Sequence, residues 1–137
     1  MKQLIIYNNI LYKLEIWDTI GTVGGIHFTK LFFRDSNMTF IFYGYQHKDS
    51  FELAKFLIDF TKRECINKNC IYVLVCSKYD LNLESGDIVP DEEAIEIAEK
   101  NNIIFTHLSI YEKYSNGVNE LFKKAFKEYI KRNNIPN

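Results

Sequence analysis

The chain has 137 residues, of which 47% are hydrophobic and 26% are charged, a balance typical of a folded globular domain rather than of a disordered or low-complexity segment. Its formal net charge of -1 argues against a strongly basic surface for nucleic acid or acidic membranes. We therefore expect a single domain over residues 1–137 that buries about two-thirds of its unfolded surface, without a nucleic-acid partner.

The three cysteines indicate a reducing environment. Cys65, Cys70 and Cys76 form an odd set without a C-x-x-C pair, which favours buried or free thiols over a zinc site. The apolar N-terminal run is interrupted by Asn8 and Lys13, a pattern that fits neither a signal peptide nor a membrane span. We therefore expect an intracellular, cytoplasmic protein without a bound metal.

Two strands and a tight turn are predicted at the N-terminus. Strands are predicted at residues 4–7 and 11–17. In the second, Leu14 and Ile16 alternate with Lys13 and Glu15, the period-2 pattern of a half-buried strand. Asn8 and Asn9 lie between them and tolerate positive φ angles, so we expect these two residues to close a β-hairpin.

A turn with one carboxylate and one glycine follows the second strand. In the sequence D-T-I-G, Asp18 can act near a metal ion and Gly21 can bring a backbone N–H close to a phosphate. The turn follows the carboxyl end of a strand, which is where ligands bind in open α/β sheets. Because D-x-x-G also recurs in ordinary turns, its meaning depends on the rest of the chain.

Strands and helices alternate over the remaining residues. After a glycine-bearing stretch, a short helix is predicted up to Arg34. Apolar runs too short for helices predict buried parallel strands at residues 38–43, 71–76 and 103–108. This alternation predicts an α/β fold in which helices cover both faces of a mostly parallel sheet, a three-layer sandwich.

Three amphipathic helices are predicted between and after these strands. Apolar residues at i, i+3, i+4 and i+7 place the first at residues 50–63, with Ser50 as its N-cap. The second begins at Pro90 with an acidic first turn and ends near Asn101. The third, over residues 118–129, has the widest apolar stripe.

Several motifs resemble those of one known family. Residues 17–23 read W-D-T-I-G-T-V and residues 32–34 read F-F-R, where the family has W-D-T-A-G-Q-E and Y-Y-R at the same separation. Residues 77–80 read S-K-Y-D in place of N-K-x-D, and residues 107–111 read H-L-S-I-Y in place of E-T-S-A-K. On these motifs the chain resembles the Rab branch of the Ras-superfamily small GTPases over essentially its whole length. The resemblance implies an incomplete small-GTPase fold.

The resemblance also implies a guanine-binding set at the ends of two strands. A carboxylate such as that of Asp80 can accept two hydrogen bonds from guanine in a fork arrangement, and the stem of Lys78 can cover the ring face. Two of the residues that support the family's base-binding pocket differ here, since Ser77 replaces an asparagine and Tyr111 replaces a lysine. The implied base-binding residues are Ser77, Lys78, Asp80, Ser109 and Ile110, with Asp18 and Gly21 on the phosphate and magnesium side.

The phosphate-binding part of the family's site has no counterpart in this sequence. The 137 residues contain no G-x-x-x-x-G-K-[ST] loop and no first switch with its metal-binding threonine, the parts that hold the phosphates and Mg²⁺. Thr22 stands where the family has the glutamine that orients the attacking water. We therefore expect no catalytic residue, weak binding of GTP or GDP, little Mg²⁺ binding and no GTP hydrolysis by this chain alone.

The resemblance further implies a surface for effector or regulator proteins. Trp17 and Phe32 match two aromatic residues through which Rab proteins contact effectors, and exposed aromatics are typical interface anchors. The alternative is that both side chains belong to the core. The chain ends without the cysteines that Rab proteins use for prenylation, so we expect peripheral association with endomembranes only through partners.

One strand of the family is missing from the centre of the predicted sheet. By resemblance it would lie between the strands predicted at residues 11–17 and 38–43, whose edges would otherwise stay unpaired. We therefore expect those two strands to pair directly or a partner chain to fill the gap. The hairpin is expected to be the least well anchored part of the fold.

Three functional interpretations follow. The first is a Rab-like guanine-nucleotide switch of intracellular vesicle traffic whose nucleotide chemistry is partly or wholly lost. The second is a pseudo-GTPase that acts as a protein-interaction module and binds no nucleotide. The third is a piece of a longer GTPase whose upstream part supplies the phosphate loop.

Overall fold

The computed structural model describes residues 1–19, 21–78, 87–109 and 116–135. These residues contain two groups of strands and four α-helices, and a short 3-10 turn at Val23–Gly25 precedes the first helix. The strands are β1 (Lys2–Tyr7), β2 (Ile10–Glu15), β3 (Met38–Gly44), β4 (Ile71–Ser77) and β5 (Ile104–Leu108), and the helices are α1 (Ile26–Phe33), α2 (Lys48–Glu64), α3 (Asp91–Asn101) and α4 (Asn116–Arg132).

The strands β1 and β2 form the predicted hairpin. They pair antiparallel in a ladder that closes with Tyr7 opposite Ile10. Asn8 and Asn9 adopt φ angles of 50° and 61°, the positive values that a two-residue hairpin turn requires. The turn prediction is confirmed, but β2 ends at Glu15, two residues earlier than the sequence pattern indicated.

The strands β3, β4 and β5 form the predicted parallel sheet, with β4 in the centre. Six of the seven residues of β4 are buried, because the strand is paired on both edges and covered on both faces. In contrast, β3 pairs only with β4 among the described residues, and its Phe42 stays 50% exposed. The prediction of a parallel strand is confirmed for β3, but its burial is only partial, because within the described residues it lies at an edge of the sheet.

Helices cover both faces of this sheet. On one face Phe51 and Ile58 of α2 pack with Leu74 of β4, and on the other face Leu121 of α4 packs with Val73. Alternate residues of β4 therefore serve opposite faces, as the two-residue period of a strand dictates. The three-layer α/β architecture is confirmed. None of the helices in the described part of the chain is long and apolar enough to cross a membrane.

The helix α2 begins two residues before the predicted start. It starts at Lys48, and its N-cap is His47, whose Nδ1 accepts a hydrogen bond from the N–H of Ser50 at 3.2 Å. The prediction of Ser50 as N-cap is wrong, because its hydroxyl makes hydrogen bonds to other backbone groups. Ser50 Oγ accepts from the N–H of Gly44 at 2.9 Å and donates to the carbonyl oxygen of His47 at 2.6 Å, which fastens the end of β3 to α2.

The hairpin and β3 both rest on α4 but do not pair. The rings of Tyr7 and Tyr12 contact Phe126 at centroid distances of 5.7 and 5.3 Å. On β3, Phe40 contacts Phe122 at 5.3 Å, and Phe122 lies about one helical turn from Phe126. No ladder joins the two sheets within the described residues, so the first alternative, direct pairing of β2 with β3, is wrong, and filling of the gap by a partner chain stays a prediction. Ring contacts with α4 attach the hairpin instead.

We expect the backbone amides of the hairpin to exchange with solvent faster than those of β4. A two-stranded ribbon held by a few ring contacts opens locally at low free-energy cost, whereas β4 opens only with the whole sheet. Hydrogen exchange of the monomer, followed by mass spectrometry, should show protection at least about tenfold longer over residues 71–77 than over residues 10–15. Equal protection of the two segments would contradict this account of the hairpin.

The three thiols are buried in the core. Cys65, Cys70 and Cys76 are free and are 4%, 2% and 0% exposed. Burial raises the pKa of Cys70 and that of Cys76 to about 11, because a thiolate loses its hydration in the interior. No group of three or more His, Cys, Asp or Glu residues in the described part of the chain is arranged to hold a metal ion.

We therefore expect the folded protein to resist thiol-specific aromatic disulfide reagents at mildly alkaline pH. The thiolate is the reactive form of cysteine. Burial denies the reagent access to all three thiols, and the raised pKa values of Cys70 and Cys76 disfavour their ionisation as well. In denaturant, all of Cys65, Cys70 and Cys76 should react at once. Rapid reaction of even one thiol under native conditions, measured by the absorbance of the released thiolate, would show that the core around it opens readily.

Candidate functional site

The ends of β4 and β5 lie side by side at one edge of the sheet. Ser77 and Leu108 are the last paired residues of the two strands, so Lys78 and Ser109 follow directly at the same edge. Ser109 is only 9% exposed, whereas Lys78 is exposed. The structure thus brings together three residues of the predicted base-binding set. The other two, Asp80 and Ile110, lie outside the described residues, as does Tyr111.

Ser77 fastens the end of β4 to the β3 side of the sheet. Its hydroxyl donates a hydrogen bond to the carbonyl oxygen of Tyr43 at 2.8 Å, and its carbonyl oxygen accepts from the N–H of Tyr45 at 3.0 Å. Because the hydroxyl proton is used within the sheet, Ser77 can offer a ligand only acceptor lone pairs. The backbone then turns at Lys78, whose φ of 57° lies in the left-handed region that few non-glycine residues adopt.

Burial keeps two groups near Ser77 neutral, the thiol of Cys76 and the phenol of Tyr43. It raises the pKa of the Cys76 thiol to about 11, and it also raises the pKa of the Tyr43 phenol well above its usual value. Both groups therefore stay protonated at neutral pH. The ammonium of Lys78 accordingly meets no thiolate or phenolate charge from these two residues.

Two contacts that the sequence patterns did not predict hold β5 in place. Nε2 of His107 lies 2.9 Å from Oδ1 of Asp91, the first residue of α3. At Gly117, a Cβ atom would lie 3.3 Å from Cδ1 of Leu108 and 3.5 Å from the carbonyl oxygen of Ser109. The glycine thus lets α4 approach the site closely. The available sequence signal was a glycine in the first turn of a helix, where propensity disfavours it.

Trp17 and Phe32 form an exposed aromatic pair. Their rings stack with centroids 4.8 Å apart and planes 20° from parallel, while Trp17 is 58% and Phe32 is 40% exposed. The next residue, Phe33, points inward instead and meets the ring of Phe60 on α2 at 5.7 Å. The alternative that Trp17 and Phe32 belong to the core is therefore wrong.

Asp18 and Gly21, the predicted phosphate-side residues, are both exposed. A Cβ atom added at Gly21 would have no neighbour within 4 Å, so the backbone there approaches no other described part of the chain closely. Thr22 is likewise exposed, and its carbonyl oxygen accepts from the N–H of Gly25 at 3.0 Å. Asp18, Gly21 and Thr22 thus lie at the surface, and no described residue forms a cradle around Gly21.

Two clefts formed by described residues are not lined by these side chains. One, of about 370 Å³, is lined by Tyr7, Thr106 and four residues of α4. Another, of about 200 Å³, is lined by residues 46–49 and Asp87. Neither cleft is lined by a residue of the predicted base-binding, phosphate-side or effector sets.

Comparison with known proteins places the chain in a family. The model of the Ras family matches residues 1–131. The mouse Ras-related protein Rab-17 is 32% identical over 120 residues, which cover 88% of this chain and 54% of that protein. The Ras-related protein Rab-2B of Dictyostelium discoideum is 33% identical over 126 residues, covering 91% and 59%. The GTP-binding protein YPT52 of Saccharomyces cerevisiae is 25% identical over 133 residues, covering 84% and 56%.

The fold and these matches define a member of the Ras family of small GTPases. Within that family the chain belongs to the Rab branch, which confirms the resemblance carried by its motifs. The chain spans only 54% to 59% of the length of these relatives. What the complete relatives bind and do is therefore a matter for proposals about this chain.

Proposed function

We propose that this chain recognises guanine nucleotides through the base, takes part in intracellular vesicle traffic and does not hydrolyse GTP by itself. The observation that carries the proposal is the adjacency of Lys78 and Ser109 at the carboxyl ends of two paired parallel strands. Ligands of open α/β sheets bind at such ends. Membership of the Rab branch supports the choice of guanine and of vesicle traffic.

The base-side residues offer a chemically suitable set of groups. The exposed aliphatic stem of Lys78 can lie along a purine face while its ammonium stays in water. The carboxylate of Asp80, two residues further on, would accept from the two adjacent N–H donors of guanine. Ser109 and the N–H of Ile110 would approach the exocyclic oxygen from the neighbouring strand. Adenine presents a different donor and acceptor pattern, so this set selects guanine.

The same chain fits phosphates poorly. Asp18 and Gly21 are exposed, and within the described residues no backbone packs closely enough on Gly21 to form a cradle. Thr22 carries no amide to orient a water molecule. Without a lysine-hydroxyl pair after a glycine-rich loop, the 137 residues supply neither charge neutralisation nor a Mg²⁺ ligand of the usual kind. We therefore assign no step of GTP hydrolysis to this chain.

The proposal predicts guanine-selective binding that depends on Asp80 and little on Mg²⁺. Fluorescent GDP and GTP analogues should bind the purified 137-residue chain, whereas adenine analogues should not. Asp80→Asn should raise the Kd at least about tenfold, because it replaces a charged acceptor of two hydrogen bonds by an amide. Fluorescence anisotropy titrations with and without Mg²⁺ measure both effects.

The matched control is Asp59→Asn, which removes an exposed carboxylate from α2, far along the chain from both strand ends. It should leave the Kd unchanged. Equal losses in Asp80→Asn and Asp59→Asn would mean that overall charge, not base recognition, governs binding. The absence of any binding at high micromolar nucleotide would overturn the proposal and leave the interaction module as the better account.

The interaction module is supported by a separate observation, the exposed stack of Trp17 on Phe32. Two large aromatic side chains that lie half in solvent form the kind of anchor that dominates binding energy at interfaces. The helix carrying Phe32 is held to α2 by an ion pair between Lys30 and Glu64. This ion pair helps to hold α1 in place, so the aromatic pair of Trp17 and Phe32 has a fixed position from which it can contact an effector or regulator protein.

Truncation of this pair should abolish partner binding while the fold is kept. Trp17→Ala and Phe32→Ala remove exposed rings and should lower the free energy of unfolding by no more than about 1.5 kcal/mol. Proximity labelling in cells should recover a partner set with the wild-type chain that both variants lose. Phe56→Ala, which truncates another exposed aromatic side chain on α2, is the matched control. Retention of the same partners by Trp17→Ala would contradict the proposed surface.

The third interpretation, a piece of a longer GTPase, rests on the share of the relatives that the chain covers. Sequencing the transcript upstream of the codon for Met1 tests this interpretation. An in-frame upstream segment that encodes G-x-x-x-x-G-K-[ST] would support it and would restore the phosphate-binding half of the site. A transcript that contains a stop codon in every upstream frame would rule it out.

A further inference from the structure

The outer edge of β1 presents backbone groups that no described residue pairs. Met1 and Ile16 exchange two hydrogen bonds, each 2.8 Å long, so in this antiparallel ladder the odd-numbered residues of β1 face β2. The N–H and C=O groups of Leu4 and Ile6 therefore point the other way. In the described part of the chain the hairpin is a two-stranded sheet, and no described strand pairs with this edge of β1.

The same edge is apolar on its exposed face. Leu4 is 63% and Ile6 is 75% exposed, and Leu11, which lies opposite Ile6 on β2, is 63% exposed. From Gln3 to Tyr7 the strand carries no charged residue. Natural edge strands usually avoid pairing by placing charges, prolines or bulges along the edge. None of these devices is present over residues 3–7 of this strand.

We propose that β1 pairs with β1 of a second copy of this chain, antiparallel, about a two-fold axis at Ile5. In this register Leu4 lies opposite the partner subunit's Ile6, and the two-fold axis repeats the pair with the roles exchanged. Lys2 then lies opposite the partner subunit's Asn8. A slip of two residues in one direction would set Lys2 against an isoleucine, and a slip in the other would set Asn8 against a leucine. The apolar pattern therefore selects a single register.

The charges on the edge favour a second copy over a charged partner. The carboxylate nearest to the edge, that of Glu15, lies 3.4 Å from the ammonium of Lys2 and 3.7 Å from that of Lys13, so these three charges already contact one another within the hairpin and lie outside residues 3–7. A neutral apolar strand is the surface that best complements what remains. A second copy supplies such a strand with the spacing of Leu4 and Ile6 already correct.

Pairing would join the two hairpins into a four-stranded sheet. The two-fold axis generates two pairs of Leu4 with Ile6 across the new ladder, and each pair would exchange two backbone hydrogen bonds. On the exposed face, Leu4, Ile6 and Leu11 of both copies would form one continuous apolar strip. The contact buries only the edges of two six-residue strands, so it falls in the class of small, transient interfaces rather than of obligate dimers.

The first test is the mass of the chain in solution as a function of concentration. Sedimentation equilibrium should show the average mass rising above 16.2 kDa toward twice that value as the concentration reaches the millimolar range. Ile6→Lys should raise the dimer Kd at least about tenfold, because it sets an ammonium against an apolar neighbour. Ile66→Lys, at a position 58% exposed after α2, should not change it. A chain that stays monomeric, or equal effects of both variants, would overturn the proposal.

The second test reports the register. Ile5→Cys places a thiol on the two-fold axis, where the two Cα atoms of a non-hydrogen-bonded pair are about 4.5 Å apart, close enough for a disulfide. Mild oxidation should therefore link two copies. Gln3→Cys, on the same strand and face, should not link to itself, because its counterpart lies about four residues away along the ladder. The three native thiols are buried and do not compete. Efficient linkage by Gln3→Cys, or none by Ile5→Cys, would refute this register.

Discussion

The complete burial of β4 is the constraint on which the rest of the structure depends. Its residues are paired on both edges and covered on both faces, and each fully buried apolar side chain contributes about 1.5–3 kcal/mol. Leu74 and Val73 point to opposite helical layers. The position of α4 follows from this packing, and α4 in turn carries the hairpin through Phe126.

This order of dependence separates the two proposed binding surfaces. Lys78 and Ser109 extend from strands of the central sheet, so their spacing is fixed by a ladder and by the Ser77 hydroxyl. The pair of Trp17 and Phe32 instead joins the end of the hairpin to α1. A rigid strand end suits the recognition of a small planar base, whereas an exposed ring pair on peripheral elements suits a protein partner.

Unpaired strand edges link the fold to the proposed dimer. Side-chain ring contacts attach the hairpin to α4 and cover its inner face, while no strand in the described part of the chain pairs with its backbone edges. Open edges are templates for further pairing unless charges protect them. On β2 the open edge carries Lys13 and Glu15, whereas on β1 it carries Leu4 and Ile6. Charged residues therefore disfavour further pairing at the edge of β2, whereas the edge of β1 lacks them and can pair with a second copy.

The sequence by itself determined those elements whose signals are local. The asparagines of the hairpin turn, the apolar run of β4 and the motifs at the ends of β4 and β5 lie in neighbouring residues, where periodicity and residue type act directly. Only the tertiary structure decided that His47 caps α2, that Gly117 admits α4 to Ser109, and that Phe42 lies at an exposed edge. These outcomes depend on which distant surfaces meet. An apolar run has the same pattern whether or not a neighbouring strand is present to bury it.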